Sequence, residues 1–263
     1  KLHSFHIPVM GIGYTINTPI KVAHLGIASA ISLVDDILVE RMREFYSTKY
    51  NLPFSAINNK IEDFRAKRIT AYLDTVNIIV NQKYHDFKSA LTEKRNELNR
   101  FLSLLPDTSE LKLKLSQIIE SASAVQIKEI IEKYLHPGSI DVNIMTKLDK
   151  ENYRDGEKLP SEFNDAHAAL RGFANSTLNS SVILSAGMNA RLYTYLEQFE
   201  DFYPNAAGGF NKKIILKVSD YRSAIVQGKI FAKKGLWISE FRVESGLNCG
   251  GHAFATQGYL MGP

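Results

Sequence analysis

The chain has 263 residues, 44% of them apolar, with a formal charge of +4, enough for a substantial buried core and within the range of one α/β barrel or two smaller domains. Basic and acidic residues alternate instead of forming a one-sided stripe, which argues against nucleic-acid binding and leaves acidic small molecules open. The single cysteine, Cys249, excludes an internal disulfide framework and a CxxC metal site; with no apolar run of membrane-spanning length and no signal-peptide pattern, we expect a cytoplasmic protein without membrane contact.

The first predicted strand is "HIPVMGIG". Thr18 and Pro19 then supply an N-cap hydroxyl and a first-turn proline, and Gly26 closes the short helix "IKVAHL". "ASAISLV" is the second strand; Asp35 and Asp36 follow at a helix start, where the macrodipole favours carboxylates, and "ILVERMREFY" continues with helical spacing. From 55 to 135 the strand rhythm disappears, and the run beginning "INNKIEDFRAKRITAYL" reads as one or two long, charge-laced helices broken at Pro106-Asp107. Two more, "SELKLKLSQIIESA" and "AVQIKEIIEKYL", precede the turn His136-Pro137-Gly138. "SIDVNIMT", "SVILSAG", "KIILKVS" and "WISEFRVES" are the remaining strands, separated by helical patterns.

Strands alternating with helices imply a parallel α/β sheet. The organisation we expect is two βα units over 1–54, a helical insertion over 55–135, and units three to six over 136–263. The insertion is either a solvated cap or the surface for a partner or a second copy. An eight-stranded βα barrel takes about 250 residues without insertions, so the expected fold is an incomplete (β/α)8 TIM barrel lacking strands seven and eight. An open doubly wound sheet is the competing architecture.

In a barrel the active site lies at the C-terminal strand ends. The first strand brings Gly11, Ile12 and Gly13 there, where the glycines make either a plain turn or a place for a ligand to approach the main chain. The third strand brings Asn143, the fourth Ser185 to Gly187, and the fifth Lys217 and Ser219. In the sixth, Glu240, Arg242 and Glu244 share a face opposite Trp237, Ser239, Phe241 and Val243. Charges turned inward must pair in an ion network or serve a ligand. Lys217, one charge near a strand end, is placed to meet an anion, or to form an imine as in a lyase. After the sixth strand come Gly250, Gly251 and His252; the histidine is either structural or a group that moves a proton or polarises an oxygen beside a backbone cradle. Cys249 reads as a small buried side chain.

These segments resemble the nitronate monooxygenase (2-nitropropane dioxygenase-like) family. "PVMGIGYTINTPIKVAHLG" is similar to its first βα unit, "IDVNIMT" to its third strand, and "NCGGH" to its Gly-Gly-His strand end, which flavin-dependent enoyl-ACP reductases share; Asn248-Cys249 replaces the family's Glu-Ala pair. The resemblance spans the strand regions and excludes the insertion. It implies an FMN-dependent TIM-barrel oxidoreductase acting on a small nitronate-like or enoyl substrate. Gly11, Ile12 and Gly13 would contact FMN through their backbone, Asn143 would hydrogen-bond it, Gly250 and Gly251 would border it, Lys217 would face the flavin ring, and His252 would be catalytic. The alternative is a non-catalytic barrel module that docks a partner through the insertion.

Overall fold

The computed structural model describes residues 2–3, 5–10, 15–33, 35–119, 121–185 and 187–244. Six strands form one parallel sheet: β1 (His6–Ile7), β2 (Ala28–Leu33), β3 (Ile140–Met145), β4 (Ser181–Ser185), β5 (Lys213–Val218) and β6 (Ile238–Val243). Their spatial order is their chain order. A doubly wound sheet needs a point where that order reverses, so this arrangement is singly wound. Right-handed crossovers in one direction put the covering helices on one side, and the sheet curls around the other as a half-barrel.

The convex face carries the main core. Val142, Val182, Ile214 and Leu216 are fully buried on it beneath the helices, each side chain contributing roughly 1.5–3 kcal/mol. Register links the concave positions across the sheet: Ser32 lies opposite Asn143, Asn143 opposite Ile183, Ile183 opposite Ile215, and Lys217 opposite Arg242. Ala30, Ile183 and Ile215 make a small apolar cluster there with Val9.

The last pairing contains a bulge. Ile214 pairs with Ile238, but Ile215 pairs with Glu240, leaving Ser239 as an extra residue. Ile238 therefore turns to the helix side and packs on the main core, while Glu240 and Arg242 take the concave face. A bulge re-aims the side chains that follow it, and here it reconciles an apolar residue and two charged ones on alternating positions.

Helix α1 (Thr18–Val22) starts from Asn17 rather than Thr18 and has no side-chain cap; the Asn17 Nδ2 donates to the Tyr46 hydroxyl at 2.7 Å. It is followed by a single 3-10 turn ended by Gly26 at φ 81, in the left-handed region open to glycine. Helix α2 (Asp36–Lys49) is capped by Asp35, whose Oδ1 accepts from the N–H groups of Ile37 and Leu38. Between β2 and β3 stand α2, α3 (Phe64–Glu93), α4 (Arg95–Leu104), α5 (Glu110–Ile118) and α6 (Ala124–Tyr134). The 30-residue α3 belongs to two cores. Ile69, Tyr72, Leu73, Val76, Ile79 and Val80 pack into the main core. Leu91, with Leu98, Phe101, Leu115, Ile127 and Ile131 from the following helices, forms a second one. The later crossovers use α7 (Asp165–Ala174), α8 (Ala190–Tyr195) and α9 (Tyr221–Lys233).

Candidate functional site

The concave face toward the C-terminal strand ends collects polar side chains because strand alternation sends apolar residues to the helices and their neighbours inward. Asn143, 2% exposed, donates from Nδ2 to Ser32 Oγ at 3.3 Å. Its Oδ1 is buried and has no partner among the described residues. Buried amide oxygens are nearly always satisfied, and this one is not satisfied by any described residue.

One pleat further along, the Lys217 ammonium lies 2.6 Å from Glu244 Oε1. On the neighbouring strand Arg242 binds Glu240 through Nε and reaches Asp141 Oδ2 at 3.5 Å. Burial raises the Asp141 carboxyl above its ordinary value, against the opposing pull of Arg242, the Ser181 N–H and Ser139. Two cations and three carboxylates thus share the cup, and both cations are engaged within it. The inward charges of β6 form an ion network.

Of the residues singled out from sequence, Asn143 and Lys217 lie on this one face, separated by Ile183 and Ile215. Gly11, Ile12, Gly13, Gly250, Gly251 and His252 lie outside the described residues. Asp141 was missed, although its signal is plain in retrospect: it stands two residues before Asn143 on the same strand and so on the same face.

A second polar cluster organises the loops after β3 and β4. Thr146 Oγ1 donates to the Ser185 carbonyl at 3.0 Å, and Asn189 Nδ2 donates to the Thr146 carbonyl at 3.0 Å and to Asp149 Oδ2 at 3.2 Å. Asp149 also accepts the Ala166 N–H at 3.0 Å, and its Oδ2 is 2.9 Å from Nδ1 of the buried His167. Burial raises this carboxyl, but the contacts with His167, Asn189 and Ala166 outweigh it and hold the group below the usual range. No sequence spacing announced this set, because its members come from three separate elements.

Among the described residues no three His, Cys, Asp or Glu side chains gather to hold a metal ion, and no helix is long and apolar enough to cross a membrane. No family model, curated protein or solved structure matches the chain.

Proposed function

We propose that the chain is an FMN-dependent oxidoreductase of the nitronate monooxygenase type, acting on a small nitronate-like or enoyl substrate. The observation that carries this reading is the buried, unpartnered Oδ1 of Asn143 on the concave face of a sequentially ordered parallel sheet. A flavin ring has an N–H edge that suits such an acceptor, and Lys217, on the same face two strands away, suits its electron-rich carbonyl edge, so the described residues fit the cofactor. When bound, FMN would supply the electron transfer.

The chain's own residues would do the remainder. Asn143 would orient the ring, and Glu244 would fix the direction of the Lys217 ammonium. Gly11, Ile12, Gly13, Gly250 and Gly251 would let the backbone approach the cofactor without Cβ atoms intervening at the glycines. His252 would hold or move a proton at the substrate. The concave carboxylates Asp141 and Glu240, tied to Arg242, would keep the cup structured without contacting the substrate.

The test is an FMN titration of the purified protein. Flavin absorbance bands that co-elute with the protein are expected, together with weaker FMN binding by Asn143→Ala, and a His252→Ala variant that keeps the colour but loses oxygen consumption with an alkyl nitronate. A protein that takes up no FMN defeats the reading. One observation favours a second reading, that of an interaction module: Leu104, Leu113 and Val125 of the insertion are exposed. If Leu104→Glu with Val125→Glu abolishes a complex while any flavin chemistry persists, the docking role stands beside the enzymatic one.

A further inference from the structure

His167, which meets Asp149 on one side, lines a cavity of about 440 Å3 on the other, within the range of about 300–1,000 Å3 typical of small-molecule sites. His167 is the third residue of α7, and with the buried Tyr195 it forms the base of the cavity. Helix α8 supplies a wall: Arg191 and Tyr195 stand four residues apart and so on one helix face, and Gln198 in the 3-10 turn that follows extends it. The 3-10 turn Ser161–Phe163, just before α7, adds Glu162.

The imidazole is held in one orientation. Its Nδ1 lies 2.9 Å from Asp149 Oδ2. Burial opposes ionisation of that carboxyl, but its contacts with His167, Asn189 and Ala166 prevail and keep it ionised. A carboxylate at this distance draws the ring proton to Nδ1 and leaves the lone pair on Nε2. The Tyr195 ring packs beside the imidazole at 5.1 Å between centroids, and its hydroxyl accepts from Arg171 at 2.8 Å, so the ring face is fixed as well. Nδ1 is enclosed, whereas Nε2 is neither enclosed nor bonded to any described residue. A side chain that is 2% exposed thus keeps one free acceptor, and that acceptor opens on the cavity.

Two charges of opposite sign accompany it. Arg191 and Glu162 are exposed in the lining, and neither side chain is held in an ion pair among the described residues. The planar fork of Arg191 suits a carboxylate. Glu162 and the Nε2 lone pair both suit an ammonium, and the Gln198 amide, donor and acceptor at once, suits an uncharged polar group.

We propose that this cavity binds a free α-amino acid with an uncharged polar side chain. The ammonium donates to His167 Nε2 and lies beside Glu162, the carboxylate pairs with Arg191, and the side chain meets Gln198. Asp149 is a positioning residue that sets the tautomer of His167. The site is built from α7, α8 and the turns flanking them, and it is independent of the concave face and of any flavin.

Isothermal titration of the full chain with L-glutamine tests it, alongside 4-aminobutanamide, which lacks the carboxylate, and 4-carbamoylbutanoate, which lacks the ammonium. L-glutamine binds, and each analogue binds at least about tenfold more weakly, the size of one charge-assisted hydrogen bond. Arg191→Gln weakens L-glutamine and 4-carbamoylbutanoate by about tenfold and leaves 4-aminobutanamide unchanged. Glu162→Gln weakens L-glutamine and 4-aminobutanamide and leaves 4-carbamoylbutanoate unchanged or tighter. This crossed pattern cannot come from general destabilisation, and both substitutions are on exposed side chains. In the wild-type protein the 15N resonance of His167 Nε2 moves on addition of L-glutamine more than that of Nδ1. No heat with L-glutamine at millimolar concentration, binding that neither variant weakens, or an unmoved Nε2 resonance overturns the site. Affinity for either analogue equal to that for L-glutamine overturns the assignment of an amino acid.

Discussion

Arg242, on the last described strand, extends its guanidinium to within 3.5 Å of the Asp141 carboxylate on β3, although two strands lie between them. On a flat sheet three strand spacings would hold the two backbones about 14 Å apart. The ion pair is thus a chord across the curve of the sheet, and it measures that curvature through side chains.

The chord has a testable cost of removal. Asp141 is 5% exposed, and stripping its partner leaves a buried carboxylate, so Arg242→Met should lose roughly 3–5 kcal/mol near neutrality. Burial already raises the Asp141 pKa. A raised folded-state value contributes stability that is complete below the unfolded value and is lost as the pH rises through the folded one. Part of the Arg242→Met deficit should therefore disappear below a pH of about 4, and adding Asp141→Asn should restore most of it at neutral pH. Urea denaturation at the two pH values decides the matter; an equal deficit at both would mean that Arg242 acts by packing alone.

His24 titrates in the opposite sense. Its ring meets Phe87 edge-on at 5.8 Å, and its Nδ1 is buried without a partner among the described residues. Burial first, and the nearby Lys83 second, lower its pKa from 6.5 to about 4. The stability linked to the neutral ring is complete above 6.5 and is lost as the pH falls toward 4. With the ring partly open to solvent, we expect a loss of about 1–3 kcal/mol across that window. His24→Phe removes the titration, so the difference between the wild-type and variant stability profiles should slope between these pH values; parallel profiles would show that His24 contributes nothing to the acid response.

Much of this architecture was legible as alternation. The six strand segments were found because parallel strands beneath helices need continuous or alternating apolar runs, as in "SVILSAG" and "KIILKVS". The inward direction of Arg242 was legible for the same reason. What local pattern could not give was anything that depends on the third dimension. The Ser239 bulge, which separates Ile238 from Glu240, has no sequence signature, and strict alternation would have put those two on one face. The Asp149, His167 and Asn189 cluster joins three elements. The dual allegiance of α3 was hidden because both of its ends show ordinary helical spacing, and only tertiary packing assigns Ile69 to one core and Leu91 to another. Lys217 stood out as the cation near the C-terminal end of its strand, yet its partner Glu244 comes from the segment just past the neighbouring one.

Gly172 in α7 is a place where two local rules oppose each other. A glycine inside a helix costs about 1 kcal/mol relative to alanine, which alone would make Gly172→Ala stabilising. A Cβ there would lie 2.6 Å from Cγ2 of Ile69 and 2.9 Å from the Ala66 carbonyl oxygen on α3. The backbone of α3 cannot yield easily, because Thr70 Oγ1 also donates to the Gly172 carbonyl at 2.9 Å and joins the two helices. Overpacking of roughly 1–3 kcal/mol should win, and Gly172→Ala should lower the denaturation midpoint. A raised midpoint would mean that α3 and α7 can separate freely.

The second core makes a prediction about where stability is distributed. Ile131 on α6 is fully buried, but its neighbours are Leu98, Phe101, Leu115 and Ile127 and not the strands. Truncation to alanine removes three methyl or methylene groups and leaves a cavity, at a cost of about 2–5 kcal/mol. If the two cores open separately, that cost falls on α4, α5 and α6 alone. Ile131→Ala should then accelerate amide hydrogen exchange across 95–134 while leaving β3, β4 and β5 protected as in the wild type. Val142→Ala, beneath the helices on the convex face, should weaken protection in the sheet and the first half of α3. Uniform acceleration in both variants would mean that α3 couples the cores into one cooperative unit, with the 30-residue helix acting as the rigid element that transmits the loss.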